Sequence, residues 1–244
     1  MVEKATALSK LYAEMRVPAS KIIFRLPATW EGIQAAKQLE SQGVTTQVYL
    51  VFSMIQAAAA AQAGVSVIQP NVGRLRECYA KFPNAIRDPN GPRQDAGYLT
   101  SQDPGIVLAQ QIFMYVKKYH RSECRVMASG IRTKADALQL AGCDFILLPP
   151  KVIKELADTP TIGGYNDGLR VAGDTDADSE ASLNAAAAAD QAIDQLPMVT
   201  KEAFDAGLGF AAEELLRRGL EQQVADTAAA MPLFAKTTTL HSST

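Results

Sequence analysis

Apolar and polar positions along the chain repeat with helical spacing and then in short runs, which predicts alternating helices and strands. Residues 2–16 place apolar side chains on one stripe at helical spacing and predict a helix. Pro18 ends it, and residues 21–26 form a short apolar run that predicts a buried strand. Thr29 then suits the N-cap of a helix that extends to about Gln42.

The same order repeats along the rest of the chain. Strands are predicted over residues 46–52, 65–68, 125–128 and 145–148, and helices over 54–63, 104–119, 134–141 and within 201–230. Strand, helix and strand about 20 residues apart indicate parallel βαβ units. A closed β/α barrel has eight strands, whereas this pattern provides five. The predicted fold is therefore α/β, an incomplete β/α (TIM) barrel.

Three stretches interrupt the pattern. Residues 81–105 are rich in Pro, Asn, Asp and Gly and predict a long loop over one mouth of the fold. Residues 172–190, which are acidic and rich in Ala and Ser, predict a mobile insertion. The tail, 236–244, is expected to be disordered. Residues 1–235 are otherwise expected to form a single domain.

Composition narrows the classes of protein to consider. The 244 residues are 48% apolar and 20% charged, with a formal net charge of −2, which is ordinary for a globular protein. Without a basic stripe, nucleic acid is not an expected partner. No apolar run approaches 18 residues, so no membrane span is expected, and the first residues lack the apolar core of a secretory signal. The three widely spaced cysteines predict buried thiols of a reducing compartment, and hence the cytosol.

Metal and cofactor motifs are missing from the sequence. His120 and His241 have no neighbours at metal-ligand spacing, and no Cys or His pair occurs. No glycine-rich nucleotide or dinucleotide loop is present. The sequence therefore predicts neither a metal nor a cofactor.

Four blocks of residues, in order and with consistent spacing, resemble the transaldolase family. They are the strand and helix start Phe24-Arg25-Leu26-Pro27-Ala28-Thr29-Trp30-Glu31-Gly32-Ile33, the strand end Leu50-Val51-Phe52-Ser53, the turn Pro70-Asn71-Val72-Gly73-Arg74, and Ala141-Gly142-Cys143-Asp144-Phe145. The resemblance covers residues 2 to about 155 and weakly resumes at 211–226. It implies a class I aldolase-type barrel. Enzymes of this family transfer a dihydroxyacetone unit between sugar phosphates through a lysine Schiff base.

By this resemblance the Schiff-base lysine falls on Arg25. A Schiff base requires a neutral amine with a lone pair, which lysine can supply. The nitrogen lone pairs of a guanidinium are delocalised, so Arg25 cannot form the carbinolamine. It can instead bind a carbonyl, carboxylate or phosphate oxygen. We expect lost or altered Schiff-base turnover, in a degenerate enzyme or in one recruited to another carbon–carbon bond reaction.

Other positions of the family's pocket also differ. The family's catalytic threonine falls on Tyr49, which could transfer a proton in a recruited enzyme. Its serine and phenylalanine near the Pro70 turn fall on Gln69 and Asn71. These two residues and Thr29 are expected in the substrate pocket. The family's first three strands, which bring an acidic proton-transfer residue, have no counterpart in this sequence.

The anion-binding positions are retained. Arg74 and Arg132 match the family's two phosphate-binding arginines. The family's neighbouring serine falls on Gly130, but Ser129 lies one position earlier and is expected to contribute. Two guanidinium groups can hold one phosphate through charge-assisted hydrogen bonds. A phosphorylated or carboxylated small molecule is therefore the expected ligand.

Alternative interpretations stay open. Lys21 or Lys151 could replace the missing lysine, although a solvated lysine is the simpler interpretation of Lys151. Glu31 is interpreted as a helix-start charge rather than a general acid. The chain could be an active transaldolase of the pentose phosphate pathway, with missing strands supplied by a longer chain or a dimer mate. It could also be a non-catalytic partner of a full-length transaldolase. Because an open barrel leaves strand edges exposed, we expect a homo-oligomer or dependence on a partner.

Overall fold

The structure is a computed structural model that describes residues 1–82, 103–120, 123–158 and 194–238, with side chains as far as 232. Most of the predicted 81–105 loop and all of the predicted 172–190 insertion lie outside these residues. The expectations for those segments therefore stay predictions.

The described strands form one parallel sheet of five in chain order. They are β1 Phe24–Pro27, β2 Thr46–Val51, β3 Val67–Pro70, β4 Arg125–Ala128 and β5 Phe145–Ile146. Each strand pairs in parallel with the next one. Among the described strands, β1 and β5 each have one neighbour only, so the sheet does not close. The predicted set of five parallel strands is confirmed.

Helices follow the strands. They are α1 Val2–Glu14, α2 Trp30–Ser41, α3 Met54–Gln62, α4 Val72–Lys81, α5 Pro104–Tyr119, α6 Lys134–Gln139, α7 Pro150–Asp158, α8 Lys201–Gly207 and α9 Gly209–Thr238. Two of them, α4 and α7, were not predicted from the sequence pattern. No helix in the described part of the chain is long and apolar enough to cross a membrane.

Some predicted bounds were wrong. The strand predicted from Lys21 begins at Phe24, because Ala19–Lys21 forms a 3-10 helix after Pro18. Lys21 and Arg25 therefore do not share a strand face. The last strand ends at Ile146 rather than Leu148. The first residues of the predicted disordered tail continue α9 to Thr238, and the rest of that tail lies outside the described residues.

Polar caps begin six of the described helices, and three of these caps lie at one edge of the sheet. The side chain before the helix accepts a hydrogen bond from a backbone N–H of the first turn at Thr29, Ser53, Asn71, Asp103, Thr133 and Thr200. Three of these caps follow β1, β2 and β3 within a few residues. Because parallel strands end at the same edge, the caps gather at the carboxyl edge, where ligands of β/α barrels bind.

Strand alternation separates a helix-covered face of the sheet from a second face. Val48, Ile68 and Val126 are fully buried in the core with the alanine-rich α3. Phe113 and Tyr115 of α5 belong to the same core. Residues one place further along each strand point the other way, and we call that side the inner face. It would line the lumen of a closed barrel.

Candidate functional site

Three polar side chains from neighbouring strands meet on the inner face. Arg25 of β1 lies in register with Gln47 of β2. The amide oxygen of Gln69, on β3, accepts hydrogen bonds from Gln47 Nε2 at 2.5 Å and from Arg25 Nη2 at 3.3 Å. Gln47 and Gln69 are both buried. Gln69 thus ties the three strands together beside Arg25.

Tyr49 supports the arginine from the same side. The Arg25 guanidinium carbon lies 4.5 Å from the centroid of the Tyr49 ring, a cation–π distance. The Tyr49 hydroxyl donates to Gln223 Oε1 of α9 at 2.5 Å. The C-terminal helix therefore contacts the inner face through this tyrosine.

The charge of Arg25 has no acidic partner within the described part of the chain. Its contacts there are an amide oxygen and an aromatic ring, neither of which is negative. An acidic partner would have made the role of Arg25 purely structural, and none occurs among these residues. Since Arg25 is an exposed residue, its positive charge is available to an anionic or carbonyl oxygen.

A second group of predicted site residues lies where β3 and β4 end. Asn71 and Ser129 form a parallel bridge. Asn71 Oδ1 caps α4 by accepting from Arg74 N at 3.1 Å. The buried Ser129 hydroxyl donates to the Pro70 carbonyl at 2.8 Å, so its proton is already used within the protein. The two loops lie very close: a Cβ on Gly73 would be 2.5 Å from the Gly130 carbonyl oxygen.

The two predicted phosphate-binding arginines have different environments. Arg132 Nη2 lies 2.8 Å from Glu77 Oε1, in an exposed ion pair. Arg74 lines a cavity between α4 and α9 and has no ion pair to another described residue. Arg74 belongs to α4, and Arg132 contacts that helix through Glu77. Of the two arginines, only Arg74 lacks a carboxylate partner among the described residues.

The remaining predicted residues have structural or solvent contacts. Thr29 caps α2, accepting from Gly32 N at 2.9 Å. Glu31 lies in the first turn of that helix and is exposed. Lys151 is 81% exposed and 3.7 Å from Glu155, which fits a solvated lysine. Lys21 is exposed as well.

The three thiols are buried or half-buried, and burial raises the pKa of each one. Cys78 and Cys124 are buried, Cys143 is half-buried, and all three are free. Burial, reinforced by Asp144, raises the pKa of Cys124 and of Cys143 to about 12. Both stay neutral at physiological pH, whereas the nucleophile is the thiolate. Within the described ranges, no group of three His, Cys, Asp or Glu residues could hold a metal ion.

Sequence reasoning did not find Gln47 and Gln223. Gln47 precedes Tyr49 by two positions, so strand alternation alone could have placed it on the inner face. Gln223 lies on an ordinary polar stretch of the last helix, and no local signal points to its contact with Tyr49.

Comparison with known proteins identifies the family. The model of the transaldolase/fructose-6-phosphate aldolase family matches residues 1–232. A transaldolase of Chlamydia muridarum is 38% identical over 156 residues, which are 64% of this chain and 44% of that protein. A probable transaldolase of Dictyostelium discoideum is 37% identical over 175 residues, 71% of this chain and 51% of that protein. Transaldolase 2 of Salmonella choleraesuis is 40% identical over 157 residues, 64% and 46% of the two chains.

The chain spans about half the length of the curated relatives it matches. The resemblance read from the four sequence blocks is confirmed, as is the predicted α/β fold of the barrel type with five parallel strands that do not close. The chain belongs to the transaldolase/fructose-6-phosphate aldolase family.

Proposed function

We propose that this chain is a transaldolase-like protein that binds a phosphorylated or carboxylated small molecule and performs no Schiff-base transfer through residue 25. Its relatives bear the name transaldolase, which supports a sugar phosphate as the ligand. The altered lysine position supports binding without the usual covalent intermediate.

The environment of Arg25 carries this proposal. The Arg25 guanidinium is exposed, stacked on Tyr49 and bonded to a neutral amide, so no opposite charge lies beside it among the described residues. Such a group forms strong hydrogen bonds to a carboxylate, phosphate or polarised carbonyl oxygen. In a recruited enzyme, Arg25 would stabilise negative charge that develops on that oxygen. Tyr49, which contacts Arg25, would then transfer the proton.

Borohydride trapping combined with calorimetry tests the proposal. The full chain is incubated with fructose 6-phosphate and reduced, and its intact mass and peptides are read. In parallel, calorimetry measures binding of the same compound. We expect binding without a covalent adduct. An adduct on Lys21, Lys151 or another lysine of the unaltered chain would overturn the proposal and restore transaldolase turnover as the function.

Two variants of Arg25 sharpen the result. Arg25→Gln removes the charge and should weaken fructose 6-phosphate binding about tenfold, since hydrogen bonds to charged groups contribute about 1.5–3 kcal/mol. Lys10→Gln, on the exposed side of α1, removes one positive charge elsewhere and should leave the affinity unchanged. Arg25→Lys restores an amine, and an adduct in that variant alone would show that only the amine was lost. Equal affinities of Arg25→Gln and Lys10→Gln would contradict a role for Arg25.

We also propose self-association, because apolar side chains are exposed on the inner face at both edges of the sheet. Ile23, Phe145 and Leu147 alternate with the helix-facing residues and are 48%, 47% and 57% exposed. The outer edges of β1 and β5 are unpaired among the described strands. Such edges and apolar side chains are normally covered. A second copy of the chain is the proposed cover, and sedimentation velocity tests it. A stable monomer at all concentrations would contradict this.

A further inference from the structure

The guanidinium of Arg25 is held on two sides by neutral groups. Its face lies against the Tyr49 ring, with 4.5 Å between the guanidinium carbon and the ring centroid. Its Nη2 donates to Gln69 Oε1 at 3.3 Å. A contact to the face and a contact to one nitrogen together restrict both the plane and the direction of the side chain. Arg25 is therefore positioned before a ligand binds.

The orientation of the Gln69 amide is set by its neighbour Gln47. Gln47 Nε2 has two hydrogens, and it donates at 2.5 Å to Gln69 Oε1 and at 3.4 Å to Met127 Sδ. Because a donor needs an acceptor opposite it, the oxygen of Gln69 rather than its nitrogen faces Gln47 and Arg25. Both glutamines are buried, so little water competes for these hydrogen bonds.

One forked edge of the Arg25 guanidinium stays available to a ligand. Nη2 carries two hydrogens, and each of the two forked edges of a guanidinium uses one of them. Gln69 occupies one of these hydrogens, which leaves the other edge complete. No other hydrogen bond or ion pair joins Arg25 to a described residue, and its side chain is exposed. A complete edge matches the two oxygens of a carboxylate, which accept two parallel hydrogen bonds.

The charge beside this edge distinguishes the oxygens that Arg25 could bind. The described groups in contact with Arg25 are the Gln69 amide and the Tyr49 ring, and both are neutral. One positive charge balances one carboxylate. A phosphate monoester carries about −1.5 to −2 charges at pH 7 and would stay partly uncompensated. A neutral carbonyl group would form no charge pair at all, so a carboxylate fits best.

We propose that Arg25, Gln47, Tyr49 and Gln69 form a carboxylate site, which binds a small organic acid through the free edge of Arg25. This rests on the proposed function, because it chooses the carboxylated over the phosphorylated ligand for this part of the inner face. Gln47 and Gln69 are positioning residues here, since they act on the ligand through Arg25. The ligand needs neither a carbonyl group nor a phosphate.

Calorimetry on the full chain tests the carboxylate site with glycerate, glycerol and glycerol phosphate as separate probes. The three compounds share one carbon skeleton and differ in the group that carries negative charge. We expect glycerate to bind at least tenfold more tightly than glycerol. Arg25→Lys keeps the charge but removes the forked edge, and it should weaken glycerate binding about tenfold. Arg217→Lys, at an exposed arginine of α9 paired with Glu214 and Glu221, should change it less than twofold.

Gln69→Glu gives a second test of the same site. It keeps the shape of the side chain and places a carboxylate beside Arg25, so that the chain supplies its own anion. Glycerate binding should then fall at least tenfold. Gln34→Glu adds the same charge at an exposed position of α2 and should leave the affinity within twofold. Thermal melts show that each variant is folded, and equal affinities of Gln69→Glu and Gln34→Glu would contradict the carboxylate site.

The outcomes separate the carboxylate site from the proposed function. If fructose 6-phosphate binds but glycerate binds no more tightly than glycerol, the carboxylate site is wrong and the proposed function stands. If Arg25→Lys weakens glycerol phosphate as much as glycerate, Arg25 does not distinguish the two anions and the assignment to a carboxylate is wrong. If neither fructose 6-phosphate nor glycerate binds the unaltered chain, the proposed function itself fails.

Discussion

Tyr49 makes two unlike contacts at one position. Its ring lies against the Arg25 guanidinium at 4.5 Å, and its hydroxyl donates to Gln223 across 174 residues of chain. The position was predictable from the strand pattern, since Thr46 to Phe52 reads as a strand in the sequence. The partner was not, because a contact over such a separation leaves no local pattern. The sequence therefore predicts that Tyr49 lies on a strand, but it does not predict which side chains surround it.

Tyr49→Phe tests the hydroxyl contact. The ring stays beside Arg25 while the hydrogen bond to Gln223 is lost, so the free energy of unfolding should fall by about 0.5–1.5 kcal/mol. Urea denaturation measures this. Combined with Gln223→Ala, the pair forms a double-mutant cycle, in which the two effects should not add. Tyr12→Phe, at a tyrosine that is 37% exposed, is the control. Equal losses in Tyr49→Phe and Tyr12→Phe would show that the Gln223 contact is unimportant.

Gly130 offers a second test at the level of one residue. Its φ is 74°, and an added Cβ would lie 2.3 Å from Asn71 Oδ1, the atom that caps α4. Gly64 has a similar φ of 73° but no atom within 4 Å of such a Cβ. Gly64→Ala should cost about 1–2 kcal/mol for the left-handed backbone alone. Gly130→Ala should cost about 1–3 kcal/mol more from crowding, and thermal unfolding of both variants gives the difference. No difference would mean that the two loops are loosely packed.

At the scale of secondary-structure elements, Arg76 connects three helices. From α4 it bonds to Asp103, the cap of α5, and its Nη2 lies 2.8 Å from Asp136 Oδ1 of α6. Asp136 also accepts from the backbone N–H of Arg132 at 2.9 Å. The capping of α6 by Thr133 and Asp136 is local and could have been predicted from spacing. The bridge from Arg76 joins residues far apart in sequence and could not.

Asp136→Asn tests this bridge through pH. Burial raises the pKa of Asp136, but hydrogen bonds from Arg132 N, Arg76 and Thr133 outweigh it and hold that pKa below the ordinary value of 3.8. A depressed folded-state pKa stabilises the fold above the unfolded-state pKa, and this contribution is lost as pH falls through the folded-state value. At pH 7 the variant should lose on the order of 1–3 kcal/mol.

Urea denaturation at several pH values measures the effect. The difference between Asp136→Asn and the unaltered chain should shrink as pH falls below about 4. Asp205→Asn, at an exposed carboxylate 2.9 Å from Lys201, should cost less than about 1 kcal/mol at pH 7. A difference for Asp136→Asn that stays constant down to pH 3 would rule out a role for its ionisation.

Element bounds show where sequence patterns suffice. The β4 strand was predicted with its observed bounds, Arg125–Ala128. Its short apolar run is flanked by polar residues, which mark where the strand begins and ends. The start of β1 was misplaced because apolar composition does not distinguish a strand from the 3-10 helix that follows Pro18. Short runs of this kind remain ambiguous until tertiary pairing fixes them.

At the level of the whole molecule, the number of strands and their parallel direction were predictable from the sequence. Which apolar side chains are exposed at the edges of the sheet was not. Ile23 directly precedes β1 and Phe145 begins β5, the two strands at opposite edges of the sheet. Their exposure follows from the absence of closure among the described strands rather than from their own sequence context.

Phe145→Ser tests self-association through this face. Removing an apolar side chain that is 47% exposed should weaken the dimer, because less apolar surface is covered on association. The melting temperature of the unaltered chain should rise with protein concentration, and that of the variant should rise less. Met15→Ser, at a methionine that is 65% exposed at the end of α1, is the matched control. Equal concentration dependence in both variants would place the interface elsewhere.

Leu50 joins the end of β2 to the last helix. Its φ is 60°, an unfavourable value for a leucine, and it lies where the pairing of β2 with β3 shifts register between Val48 and Val51. Its side chain packs closely against Gly219 of α9, where an added Cβ would come within 2.8 Å of Leu50 Cδ2. A ribosome synthesises α9 after all five strands. We therefore expect the backbone beside Tyr49 to reach its final conformation late in synthesis, so that a nascent chain forms its sheet before it forms the contact between Tyr49 and Gln223.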